Sequence, residues 1–205
     1  MSKAVMISIR PEWCEKILNG EKTIEIRRKF PKYYRGWVYI YCTKDKKHDW
    51  YYDKGQYLGC YSKNIKDQNT AYEYSMSLKP INGKVVSRFW CDIEETKFNG
   101  YFAKSIFTTN TMSCKDLMFK SCISQDELIA YFDIPGCFKP SNLQPVTCGY
   151  ALHISQLEIF DKPKKLSEFH TNVKKEPPEE LLCPECGKPM EYYEYKYLSN
   201  PPKNY

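Results

Sequence analysis

Apolar and polar residues alternate with a period of two in several short runs of this chain, with one stretch of helical spacing between the first two runs. Met6-Ile7-Ser8-Ile9-Arg10 reads as a strand that Pro11 stops. Trp13, Ile17 and Leu18 then fall at helical spacing, with Pro11 suited to a first helical turn and Gly20 to the stop. Alternation resumes at Lys22. In a strand over Lys22–Arg28, Thr23, Glu25 and Arg27 point one way and Lys22, Ile24, Ile26 and Arg28 the other. Trp37–Thr43 is an aromatic-rich strand, and Lys84–Cys91 sets Val85, Ser87 and Phe89 against Val86, Arg88 and Trp90. Ser124 followed by Glu127 is an N-cap with its capping-box partner, which starts a helix through Leu128 and Phe132 that Pro135-Gly136 closes. Tyr150–Phe160 reads as a further, kinked strand.

Between these elements the pattern breaks twice. Residues 44–83 interrupt the strands with Trp50, Tyr51, Tyr52, Tyr57, Tyr61, Tyr72 and Tyr74 among polar residues. Long aromatic loops of this kind serve as lids or binding loops, and a strand pair around Leu58 and Cys60 fits equally well. Glu176-Pro177-Pro178-Glu179-Glu180 is a linker. The organisation expected is therefore one domain over 1–170, with an insertion at about 44–83, and a tail over 171–205. At 205 residues the core can be substantial. No apolar run approaches the ~18 residues of a membrane span and the N-terminus lacks a signal-peptide pattern, so a cytoplasmic protein is expected, with no membrane partner.

Charge changes this picture. The chain carries a net +6, and residues 1–50 hold 12 Lys/Arg against 6 Asp/Glu, so the whole excess sits beside the alternating Lys22–Arg28 run. A local positive field favours a polyanion, of which nucleic acid is the commonest. Eight of the ten cysteines are scattered, several within apolar strands, where a free thiol packs as a small hydrophobe; Cys42 is one of these. Cys183-Pro184-Glu185-Cys186-Gly187 differs, because this turn can present two thiolates to zinc. A tetrahedral site would need two more ligands, from His170, Cys148 or a second chain; otherwise the turn stays without metal. His153, between Leu152 and Ile154, reads as a structural histidine and His48 as a solvated one.

The order of strand, Ser-Ile-Arg-Pro, short helix and Gly-Glu-Lys-Thr-Ile-Glu-Ile-Arg-Arg resembles the ASCH family, a branch of the PUA-like small β-barrels. The hallmark G-x-K-x-x-E-x-R is matched by Gly20, Lys22, Glu25 and Arg27. Asn82-Gly83-Lys84-Val85-Val86, Gly149-Tyr150-Ala151-Leu152-His153-Ile154 and Asp161-Lys162-Pro163 are similar to the version carried by prophages. The resemblance implies an α+β fold: a mixed β-barrel with short flanking helices. It also implies a cleft that takes RNA or a modified nucleoside. Its lining would be Lys22, Glu25 and Arg27 or Arg28, with Arg10, Trp13, Lys16, Tyr39, Tyr41 and Thr43 as neighbours. A strict strand period sets Lys22 and Glu25 on opposite faces, so a bulge, or a strand start near Lys22, is required to unite them.

Two other functions stay open. One branch of the family resembles an amidohydrolase of acylated cytidine that uses a Lys, a Thr and a Glu. Lys22 matches its lysine, but Glu25 stands where its threonine would be. A Glu so placed favours the charged lysine. Hydrolysis with Glu25 as general base and Lys22 steadying an oxyanion is the form that fits these residues, and other relatives resemble RNA nucleases. The third reading is a phage protein that docks on a host protein through its aromatic insertion.

Overall fold

The computed structural model describes residues 4–31, 34–53, 56–62, 80–92, 97–101, 106–109, 112–132, 145–175, 192–198 and 200. The chain opens with β1 (Val5–Ile9), α1 (Pro11–Leu18), β2 (Ile24–Arg27) and β3 (Arg35–Cys42). A hairpin of β4 (His48–Asp53) and β5 (Gln56–Ser62) follows, then β6 (Lys84–Asp92), β7 (Lys97–Tyr101) and β8 (Ile106–Thr109). Two helices, α2 (Cys114–Ser121) and α3 (Gln125–Tyr131), precede β9 (Pro145–His153) and β10 (Ser155–Lys165). A 3₁₀ turn (Leu166–Glu168), β11 (His170–Lys175) and β12 (Tyr192–Tyr197) end the described chain.

One four-stranded sheet runs β1-β3-β6-β10 and a second β2-β9-β7-β8. β1 lies parallel to β3, and the other pairs are antiparallel. Among the described residues no ladder joins the two sheets, so the expected barrel is not closed. Side chains bridge them instead. Leu152 of β9 shares the largest apolar cluster with Ile7, Val38, Ile40, Val86 and Phe89 of the first sheet and with Ile17 of α1.

Three local features decide which residues face where. Pro11 starts α1 without costing a hydrogen bond. Gly20, at φ +78°, lets the chain reverse so that Lys22 N–H reaches back to the Lys16 carbonyl at 2.9 Å. The third is a shift in the β3–β6 register between Ile40 and Tyr41. Val86 there falls out of strict alternation, joining Phe89 in the main cluster while Val85 turns outward to Tyr41 and Leu166. The period-two reading of Lys84–Cys91 therefore fails at that point.

The insertion is tied down at its base. Asp45 accepts from the backbone N–H groups of Lys47 (2.8 Å) and His48 (3.2 Å) and from the Trp50 indole (3.0 Å). Asn82 accepts from Trp50 N–H at 2.8 Å and donates to the His48 carbonyl at 3.1 Å. Trp50 is thereby buried in the main cluster, and the strand-pair expectation for this segment agrees with β4 and β5. Residues 63–79, with Tyr72 and Tyr74, lie outside the described residues.

Candidate functional site

The hallmark residues gather where α1, α2 and β2 meet. β2 begins at Ile24, so Lys22 precedes the strand and escapes its alternation. The turn after Gly20 swings the Lys22 side chain to the Glu25 side, with Nζ 3.4 Å from Oε2. Arg27, two residues on along the same face, brings Nε to 3.0 Å from Glu25 Oε1 and donates from Nη2 to the Ser8 carbonyl at 2.6 Å. The opposite face of β2 is also covered: Ile24 and Ile26 pack against Leu117 of α2, Leu128 of α3, Phe132 and Ala151. The result is a chain of alternating charge, Lys–Glu–Arg, with Lys22 1 %, Glu25 7 % and Arg27 7 % exposed.

Burial of three ionisable groups within six residues requires that each be satisfied. Lys22 Nζ donates to the Ser121 carbonyl at 2.7 Å and lies 5.2 Å from the centroid of the Trp13 ring. Ser121 ends α2, where the helix dipole and unpaired carbonyls attract a cation. Desolvation lowers the Lys22 pKa below the usual lysine value, against the opposing pull of Glu25. Glu25 does favour the charged lysine, as expected from the sequence, but burial is the larger effect and sets the net direction. Beneath the cluster, Cys14 and Cys42 are fully buried, and burial first, then the Cys42 thiol, pushes the Cys14 pKa well up. Both thiols pack as small apolar groups in the main cluster.

Two helix ends converge here, each with a lysine in its last turn: Lys16 of α1 and Lys120 of α2. The Lys16 carbonyl accepts Lys22 N–H, and the Lys120 carbonyl accepts Thr23 N–H at 2.9 Å. Lys16 Nζ also lies 5.2 Å from the Trp13 ring centroid. Phe119, beside Lys120 in α2, is 82 % exposed. The positive field and exposed ring contributed by α2 carry no sequence signal near the hallmark, since they come from about a hundred residues away along the chain.

The remaining candidates scatter. Arg10 is exposed and pairs loosely with Glu12 at 3.9 Å. Arg28 is exposed with its guanidinium 5.4 Å from the Tyr131 ring centroid. Thr43 continues the β1–β3 ladder through its N–H to the Ile9 carbonyl at 2.8 Å. Tyr41 is buried with Val85 and Leu166, and Tyr39 packs on that same cluster. Both tyrosines thus face away from Ile40 and Cys42 of the main cluster. Cys183, Cys186 and the side chain of Cys148 lie outside the described residues. Among the described residues no group of three or more metal-ligating side chains occurs.

A model of the ASCH domain family matches residues 7–176. No curated protein matches the chain. Among solved structures it is similar to the crystal structure of ASCH from Zymomonas mobilis, at 15 % identity and a TM-score of 0.42, over 81 % of this chain and 76 % of that one.

Proposed function

This chain belongs to the ASCH domain family, whose domains generally bind nucleic acid, and on that premise we propose that it binds single-stranded RNA at the junction of α1, α2 and β2. The observation that carries the reading is the buried Lys22–Glu25–Arg27 chain. Buried ion pairs are seldom better for stability than apolar packing, so a chain of three buried charges on one strand points to function. Cations at the two helix ends flank it: the exposed Lys120 and the half-buried Lys16 supply phosphate contacts. Phe119 offers a ring on which a base stacks. The phage or mobile-element type belongs to the same proposal, on the Asn82–Val86 and Gly149–Ile154 segments that resemble prophage relatives.

The test is a titration of fluorescent single-stranded RNA at rising salt. Phosphate-led binding weakens linearly on a log–log plot. An affinity that ignores salt removes the proposal.

A second reading, hydrolysis of an acylated cytidine, is favoured by the lowered pKa of Lys22 beside Glu25. A lysine so shifted is easier to deprotonate, and Glu25 then orients it or activates water. Incubation with acylated cytidine nucleosides tests this, comparing wild type with Lys22→Ala and Glu25→Ala. Equal turnover in all three excludes both residues from any such reaction.

A further inference from the structure

Lys22 is in no position to receive a ligand as the molecule stands. Its ammonium is engaged by the Ser121 carbonyl, the Glu25 carboxylate and the Trp13 face, and the residue is 1 % exposed. One of the surrounding walls therefore has to move. α1 is fixed by Cys14 and Ile17, both fully buried in the main cluster, and by Leu18. β1 and β2 are held by their ladders to β3 and β9. α2 is the least deeply buried wall: Leu117 is its one fully buried apolar side chain, Cys114 and Met118 are only partly buried beside it, and Phe119 stands in solvent. What fastens α2 at this end is polar: Lys22 Nζ to Ser121 O, Thr23 N–H to Lys120 O, and Cys122 Sγ at 3.5 Å from the Glu21 carbonyl.

We propose that α2 is a lid, and that its carbonyl end occupies on Lys22 the place that a phosphate oxygen of the ligand takes when the lid lifts. This inference rests on the RNA-binding reading of the site for the identity of the ligand. The chemistry is matched: a helix C-terminus presents partial negative charge and free carbonyl oxygens, so it satisfies a buried ammonium as an anion would. Exchange of one acceptor for the other keeps Lys22 paired throughout, which a buried cation needs. Lifting α2 withdraws Leu117, Cys114 and Met118 from the cluster over Ile24 and Ile26 but breaks no strand ladder, so both sheets stay paired. Segments of this kind open at free energies below that of global unfolding.

Cys122 supplies the means of a test. In a Glu21→Cys variant the new thiol sits beside the native one, and oxidation staples α2 shut; mass spectrometry scores the bond. Lys22 is then acylated with a succinimidyl ester and its modification followed by peptide mass analysis, while binding of fluorescent single-stranded RNA is measured in parallel. A lid predicts that Lys22 reacts about tenfold or more slowly in the oxidised than in the reduced variant, and that RNA affinity falls on oxidation and returns with dithiothreitol. Equal Lys22 reactivity in the two forms overturns the lid, whatever RNA does. Slower acylation with no RNA binding in either form upholds the lid and defeats the functional reading. Should the staple not form, hydrogen exchange of Thr23 N–H decides the matter. Exchange well ahead of the β2 amides supports the lid, and exchange together with them overturns it.

Discussion

At the scale of single residues, the charged chain on β2 behaves as one unit. Removing its centre leaves two buried cations facing each other, so Glu25→Ala is expected to lose about 3–5 kcal/mol in urea melts. The apolar triple replacement Lys22→Met/Glu25→Leu/Arg27→Met should recover most of that loss while abolishing RNA binding. Lys22 also leaves a signature in pH. Its folded-state pKa is lowered by burial, so in the alkaline range the unfolded chain binds more protons and stability rises with pH. Relative to Lys22→Met, the wild type should therefore gain stability as pH climbs toward the unfolded lysine value of about 10.4. Denaturant melts at neutral and alkaline pH measure this, and a constant gap between the two proteins contradicts it. Phe119 gives a cleaner functional probe because its ring holds no core together. Phe119→Ala should leave the melting temperature unchanged and cost about 1–3 kcal/mol of RNA affinity. The alternation of Ile24 and Ile26 against Glu25 and Arg27 could be read directly from the chain. The position of Lys22 could not, since it depends on where β2 starts, and a backbone bond to a helix a hundred residues away helps set that start.

At the scale of elements, short local signals fixed some pieces and long-range packing fixed others. α3 was legible because its start is written in the chain: Ser124 accepts from Glu127 N–H at 3.3 Å, and Glu127 accepts from Ser124 N–H at 2.8 Å. Ser124→Ala should cost about 1 kcal/mol, read by thermal melting. α2 carries a similar cap, Ser113 accepting from Asp116 N–H at 3.2 Å, yet its inward stripe of Cys114, Leu117, Met118 and Ser121 is short and mixed with polar residues, so it stands out less in the sequence. The base of the insertion depends on Asp45, whose carboxyl is held well below the usual carboxylate range by the Lys47 amide first and then the Trp50 indole. A depressed carboxylate adds stability above its unfolded pKa, and that contribution is lost as pH falls through the folded value. Following the indole emission of Asp45→Asn beside wild type should show the two proteins converging below about pH 4. A gap that persists in acid would contradict the assignment.

At the scale of the molecule, two four-stranded sheets share one apolar interior, and a second, smaller cluster joins α2 and α3 to the outer side of β2. The mixed α+β character expected from the ASCH resemblance agrees with the structure. The closed barrel expected with it is not present among the described residues: the two sheets meet through side chains such as Leu152 and Phe89, and no sequence period records which sheet edges pair. The register shift at Val86 was hidden for the same reason. The site was half legible: the hallmark named its buried charges, while the helix whose end satisfies Lys22 was visible only in three dimensions. The excess of positive charge falls in the first quarter of the chain, the part that contributes α1 and β2 to the candidate site.

The account turns on whether Lys22 meets the nucleic acid. The most direct measurement is fluorescence anisotropy of a labelled single-stranded RNA against wild type and Lys22→Met, both verified as folded, across a series of salt concentrations. The account predicts about tenfold or greater weakening in the variant and a log–log salt slope shallower by about 0.7, the loss of one phosphate contact. The same affinity and the same slope for both proteins would contradict it.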